Sequence, residues 1–485
     1  MNLKNIYFSW LIYWGKMKGL LNGIAEAIIL LASLASFFVL IYQFGFVQTP
    51  DSVHILERSR PFILLAFFTG ITLRYVVRFQ EIIQEKMLDL DISIYFLLFA
   101  VLSSKIFFKD AIAHSLPYLS FLTKPLFVYV LLLLLSTIHL SRQTFTLMQT
   151  RIKPSLLFLL SFVFVILVGA GLLSLPNATT HRIPFIDALF ISTTSVCVTG
   201  LTTVDVATSF THIGHIIIMI LIQIGGIGVM TFTSFFALSF MGKSSFTSKM
   251  MLKDMLNEDR TGGLFRVILN ILFVTLFIEG IGAYFIYMDV RGSLPGGTQQ
   301  ELFYAMFHAV SAFCNAGIST LSGNMYDPLV ADKYNLHFWI AMLIIFGGLG
   351  FPIVFNYLKL LHHLLMNGIK ILIGKQKHYI HTPRIINVHT YIVVISTLIL
   401  LITGTAFYLF FEYDNTLGDL PLRGKLANAF LGAVTPRTAG FNVADMADVD
   451  SYGNRSRPYV HRRRIESDHR FRSFGYDPER RTRER

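Results

Sequence analysis

Three short segments of the chain have a composition suited to holding a cation with main-chain oxygens: FISTTSVCVTGL at 190–201, FHAVSAFCNAGI at 307–318 and FLGAVTPRTAGF at 430–441. Aligned on Gly200, Gly317 and Gly440, they place Phe190, Phe307 and Phe430 ten residues before the glycine, and successive glycines are 117 and 123 residues apart. An ion leaving water needs its hydration shell replaced, and rings of backbone carbonyl oxygens do this for potassium. Several carbonyls reach one axis only through unusual dihedrals, which glycine adopts without a Cβ clash. A short helix ahead of each segment would aim the partial negative charge of its C-terminus at the cation. One glycine in a polar loop is ordinarily a turn; three in register point to a repeated site.

The elements that must position these segments are hydrophobic. Of 485 residues, 54% are hydrophobic and 14% charged, too few ionisable groups to cover a soluble globule. Runs long enough to cross a hydrocarbon layer of ~30 Å as helices lie near 20–46, 61–79, 89–108, 118–140, 155–175, 211–240, 264–288, 334–366 and 390–412. The first exceeds a signal-peptide core and reads as a retained span. The net charge of +12 resides in loops rather than in a nucleic-acid surface. Lys4, Lys16 and Lys18, the stretch 142–153, and the loops 241–266 (Lys243, Lys249, Lys253) and 359–384 (Lys370, Lys375, Lys377) are expected on the cytoplasmic side. The links carrying Asp187, Asp289, Glu301, Glu412, Asp414 and Asp419 are expected outside.

The periodicity predicts an all-α integral membrane protein of repeated helix, pore loop, helix units. Repeat 1 spans 154–241, repeat 2 spans 264–366 and a partial repeat 3 spans 390–448, preceded by a transmembrane bundle at 1–142. Each glycine segment follows an amphipathic stretch of about ten residues, too short to cross a bilayer, so it reads as a re-entrant helix and an extended loop buried in protein. The second helices also repeat: QIGGIGVMTF at 223–232 matches FGGLGFPIVF at 346–355, and their glycine pairs read first as close helix packing.

These motifs, SVCVTGL at 195–201, AVSAFCNAGIS at 309–319, TPRTAGFN at 435–442 and the two glycine-pair helices, resemble the Trk/Ktr/HKT superfamily of potassium transporters over roughly residues 154–445. The resemblance implies four non-identical units around a pseudo-fourfold pore. It implies a filter lined by Val198, Thr199 and Gly200, by Asn315, Ala316 and Gly317, and by Thr438, Ala439 and Gly440. In the family, glycine at this place goes with potassium and serine in the first repeat with sodium; all three are glycine here. The family further implies a homodimer and a cytoplasmic nucleotide-binding regulatory subunit, with the basic loops as docking surfaces. No cofactor is expected, and potassium is the substrate.

Other residues allow both a functional and a plainer reading. Glu279, inside a hydrophobic span, and Arg437, which takes the place of Cys197 and Cys314 in the third segment, are structural or gating candidates and a candidate pair. The two cysteines read as buried small side chains. His362, His363, His378, His381 and His389 allow the alternative of a membrane-embedded metal enzyme, but they lack dense His boxes and acidic companions. Residues 1–142 offer only Arg74 toward a voltage sensor and read as an accessory bundle.

After Asp448 the composition changes: 449–485 holds eleven arginines and no lysine, leucine, alanine or methionine, and no span of ~20 apolar residues. The expectation is a shifted frame or a truncated product lacking a fourth segment, rather than a native basic tail. A chain with three walls is expected to select and conduct potassium poorly, or to be a non-conducting remnant. No nucleic-acid partner is expected.

Overall fold

A computed structural model describes residues 3–84, 88–106, 124–148, 154–241, 263–350 and 388–444, with a few helical positions between 353 and 367. Among these the chain is helical, without strands, apart from one isolated antiparallel bridge between Thr179 and Phe210. Residues 149–153 and 242–262, most of 359–384 and the arginine-rich tail lie outside the described residues.

Helices α1 (Leu3–Gly45), α2 (Pro50–Gln84), α3 (Leu88–Ile106) and α4 (Pro125–Met148) form a bundle in which α1 packs on α2 and α4, and α2 on α3. Its core is Ile29, Leu64, Phe67, Leu98, Leu132 and Leu135. Helix α2 begins at Pro50, well before its hydropathy run, because Asp51, Glu57, Arg58 and Arg60 dilute the first turns. Arg60 is nonetheless buried, its guanidinium 4.6 Å from the centre of the Tyr129 ring, a favourable seat for a cation withdrawn from water. Arg74 stands 3.7 Å from Glu26 of α1. The bundle joins the rest of the chain where Asn177 donates its main-chain N–H to the Gly45 carbonyl at 3.1 Å and its side-chain amide to the Phe46 carbonyl at 2.9 Å.

The remaining helices come in groups. Helix α5 (Pro154–Leu173) is followed by the short α6 (Phe185–Val196), a single turn α7 (Val206–Ser209) and the long α8 (His212–Met241). Helix α9 (Gly263–Val290) is followed by the short α10 (Gly297–Phe313) and α11 (Tyr334–Leu349), and α12 (Val388–Glu412) by the short α13 (Leu422–Val434). Within each group the helices pack on one another, and the groups meet through α8 with α9 and α10 and through α11 with α13. The short helices have 12, 17 and 13 residues, roughly 18–26 Å at 1.5 Å per residue, longer than the ten residues expected yet short of a bilayer core. Among the described residues, Met17–Gly45, Pro50–Val77, Leu269–Val290 and Thr390–Glu412 are long and apolar enough to cross a membrane, with shorter apolar helices beside them.

One hydropathy run is interrupted. Residues 334–366 were expected as one span, but α11 stops at Leu349, where Gly350 takes φ 81° and Pro352 follows. A positive φ with extended ψ, which glycine accommodates, takes the main chain off the helical path at this point. Helical conformation returns at Ile353 and Val354.

The glycine pairs do more than let helices approach. A Cβ on Gly225 would fall inside van der Waals contact of the Val196 carbonyl oxygen, and one on Gly347 inside that of Phe313. Val196 and Phe313 are the last residues of α6 and α10, each four before its segment glycine. The long helices are therefore seated against the ends of the short ones. Gly347→Ala is expected to destabilise the folded chain by about 1–3 kcal/mol through overpacking, read as a lowered thermal midpoint in detergent. Gly171→Ala, with nothing within 4 Å of its Cβ position, should leave the midpoint unchanged; equal midpoints for both variants would count against this seating.

Candidate ion-coordination site

The three glycine segments begin where the short helices stop. Cys197 and Cys314 are the C-caps of α6 and α10, with φ and ψ near −80° and 0°, and Thr435 caps α13. The chain then leaves helical geometry in the same way three times. Val198, Asn315 and Thr438 take φ of 55°, 60° and 65°, and two residues later Gly200, Gly317 and Gly440 take 81°, 66° and 75°. The intervening Thr199, Ala316 and Ala439 are not in this region. A β-branched valine or threonine there is a steric outlier, so its recurrence at one register position marks a geometry that the surroundings enforce.

Main-chain hydrogen bonds indicate which way the peptide units face. Thr199 donates its N–H to the Thr194 carbonyl at 2.9 Å, Ala316 to Ser311 at 2.7 Å and Ala439 to Thr435 at 3.0 Å. Each bond satisfies a carbonyl that a helix end would otherwise leave without a partner. In a trans peptide the preceding carbonyl points opposite to the N–H. The carbonyls of Val198, Asn315 and Thr438 are thus directed away from their own short helices.

The segments touch. A Cβ on Gly200 would stand 2.5 Å from the Ala316 carbonyl oxygen, one on Gly317 would overlap the Ala439 carbonyl oxygen, and one on Gly440 would lie 3.1 Å from the Gly317 Cα. The second segment therefore lies between the first and the third. Ala316 and Gly317 are buried, whereas Thr199, Thr438 and Gly440 are exposed. Asn324 donates its side-chain amide to the Gly440 carbonyl at 3.3 Å. The side-chain amide of Asn315 reaches the carbonyls of Ala312 and Ile344 at 3.0 and 3.2 Å, so that side chain is turned toward α10 and α11. All nine residues named from the sequence fall in this one cluster; the left-handed φ of Val198, Asn315 and Thr438 was not foreseen, and only asparagine carries a compositional hint of it.

Two expectations change, and a third falls outside the described residues. Glu279 and Arg437 are not paired. Glu279, 4% exposed, accepts from Cys314 Sγ at 3.9 Å, while Arg437 donates through Nη2 to Thr397 Oγ1 of α12 at 2.9 Å. Glu279 lies behind the second segment, where Gln223 of α8 also reaches it, and Arg437 lies behind the third. The cysteines also differ from each other: both are free thiols, but Cys314 is buried and Cys197 exposed. Cys314 is covered by Gly226 of α8, whose Cβ position would overlap its sulfur, and no described residue covers Cys197 in that way. Finally, His362, His363, His378 and His381 lie outside the described residues, as does the side chain of His389. Among the described residues no three His, Cys, Asp or Glu side chains are grouped to hold a metal ion.

The chain is also similar to known proteins. The family model TrkH, described as a cation transport protein, matches residues 111–453. The Ktr system potassium uptake protein B of Vibrio alginolyticus is 36% identical over 296 residues, 60% of this chain and 59% of that protein. The protein of the same name from Bacillus subtilis is 33% identical over 301 residues, 62% of each chain. The potassium/sodium uptake protein NtpJ of Enterococcus hirae is 34% identical over 313 residues, 63% of each. This chain thus spans about three fifths of the length of these relatives. With the family match covering more than half of its residues, the chain belongs to the TrkH family of membrane cation transport proteins.

Proposed function

We propose that this chain is the ion-translocating membrane subunit of a potassium uptake system of the Trk/Ktr type, a multi-pass protein of the cell membrane. Potassium would pass down its electrochemical gradient, or coupled to it, along a path lined by main-chain carbonyls. The observation that carries this reading is the thrice-repeated alternation of left-handed backbone at Val198 and Gly200, Asn315 and Gly317, and Thr438 and Gly440, in segments that touch one another. Such a backbone presents oxygens without side chains, the ligand set that replaces water around potassium. The printed names of the relatives, two potassium uptake proteins and one potassium/sodium uptake protein, support the same substrate. All three segment positions are glycine here, which favours potassium over sodium.

In this reading residues 154–241, 264–366 and 390–448 are pore repeats and 1–142 an accessory bundle. Glu279 and Arg437 brace the second and third segments from behind, a structural role in which neither side chain touches the ion. The wider assembly is a homodimer with a cytoplasmic nucleotide-binding regulatory subunit, as the resemblance implies. Cofactor chemistry has no part in the mechanism.

The direct test is cation-dependent stability of the purified chain, since a ligand that binds the folded state raises its midpoint. Potassium chloride is expected to raise the thermal midpoint more than sodium chloride at equal ionic strength, and a midpoint indifferent to the cation would overturn the reading. A stoichiometric transition metal in the purified protein would instead favour a metal enzyme. Gly317→Ala places a methyl against the Ala439 carbonyl and forces a side chain into left-handed backbone. It should abolish the potassium-specific rise, seen as coincident potassium and sodium titrations.

A further inference from the structure

The residue that follows each glycine is held by a hydroxyl from the end of the preceding short helix. Ser311 Oγ donates to the Ile318 carbonyl at 2.8 Å, and Thr435 Oγ1 donates to the Phe441 carbonyl at 2.6 Å. In the first segment the polarity is reversed: the Leu201 N–H donates to Thr194 Oγ1 at 3.0 Å. Thr194 and Ser311 are buried, as are Ile318 and Phe441. Three hydroxyls thus meet the same position in three segments, although Thr194 and Ser311 lie six residues before their glycines and Thr435 five.

The consequence for the main chain follows from the trans peptide. Where Ser311 and Thr435 take the Ile318 and Phe441 carbonyls, those oxygens face the wall, and the N–H groups of Ser319 and Asn442 face the opposite way. An N–H cannot coordinate a cation and repels it. Where Thr194 takes the Leu201 N–H, the Gly200 carbonyl is directed away from the wall. In the second segment the turn is held a second time, because Ser319 Oγ lies 3.0 Å from Nε2 of the buried His308 and accepts the Leu321 N–H at 3.0 Å.

We propose that Thr194, Ser311 and Thr435 are positioning residues for cation coordination, whose hydroxyls fix the main chain at the residue after each glycine and so set where the column of coordinating carbonyls stops. In the first segment the hydroxyl orients the Gly200–Leu201 peptide and with it the glycine carbonyl, whereas in the second and third it orients the next peptide and turns the Ile318 and Phe441 oxygens to the wall. The end of the coordinating column is therefore a property of three side chains that never touch the ion. This inference rests on the potassium reading above.

The experiment compares potassium and sodium titrations of thermal stability for the full chain in detergent. The variants are Ser311→Ala, Thr194→Val and Thr435→Val, with Ser311→Thr and Thr435→Ser as conservative partners. Loss of one hydroxyl should raise the half-saturating potassium concentration about two- to tenfold, the scale of one hydrogen bond, and narrow the gap between potassium and sodium. The conservative partners should retain the parent's values. Thr→Val keeps the volume, so at least two of the three sites can be read if Ser311→Ala does not fold. If the parent responds to potassium and the Val variants match it, this inference is overturned while the potassium reading stands. If the conservative partners are as impaired as the deletions, packing rather than the hydroxyl is responsible, and the inference again falls. A parent without any potassium response overturns the potassium reading and this inference with it.

Discussion

Everything in the second half of this molecule depends on the approach of three backbone segments to distances that exclude a side chain. Gly200 lies against Ala316, and Gly317 against Ala439 and Gly440. Such proximity leaves oxygens and amides with few partners in a nonpolar setting, where each unsatisfied group costs several kcal/mol. The chain answers with helix ends: the N–H of Thr199, Ala316 and Ala439 each returns to its own short helix. The short helices are in turn seated by Gly225 and Gly347 of the long ones. Close packing is thus passed outward from the segment to the short helix to the long helix, each step requiring a glycine or a hydrogen bond at a definite register.

The second group of helices carries most of this arrangement. Its core, built from Ile286, Tyr304, Ala312, Ile340 and Ile344, continues into Leu431, Val434 and Phe441 of the third group. On the other side Phe307, Cys314, Ala316 and Ile318 pack with Ile191, Val196 and Leu221 of the first. Polar ties follow the same route. His337 of α11 meets Asn428 of α13 at 2.7 Å, and Arg423 reaches Asn335 at 2.7 Å. In the loops that follow the first and second glycine segments, Ser322 donates to Asp205 at 2.5 Å, linking the second group to the first. Neighbouring groups are therefore joined both by apolar surface and by hydrogen bonds, which fix register as well as distance.

Much of this was legible in the sequence because it depends on spacing. Three glycines in register, each with a phenylalanine ten residues before, located the three segments, the family resemblance supplied the nine residues proposed to line them, and hydropathy located the long helices. What escaped depends on three-dimensional context. Nothing in a valine or a threonine announces left-handed backbone, since both disfavour it; at Val198 and Thr438 the next residue's N–H turns back to the short helix, a bond that composition does not reveal. The glycine pairs were recognised as packing residues, but their partner, a helix-terminal carbonyl, is not written in their own sequence. The stop at Gly350 was hidden by apolar neighbours that keep hydropathy high through the break, and the early start of α2 by charges that lower it. A Glu279–Arg437 pair was a reasonable reading of two costly residues in an apolar chain, yet Cys314 and Thr397 were nearer partners than composition could reveal.

Among the described residues the second segment touches both of the others, whereas the first and third each touch only the second. Its residues consequently answer to two neighbours at once: Ala316 presents its carbonyl to Gly200 while Gly317 abuts Ala439. A change in the first or third segment disturbs one contact, but a change in the second disturbs two that are not independent. The scope for variation should therefore be narrowest at its centre, with a change on one side reaching the other through Gly317.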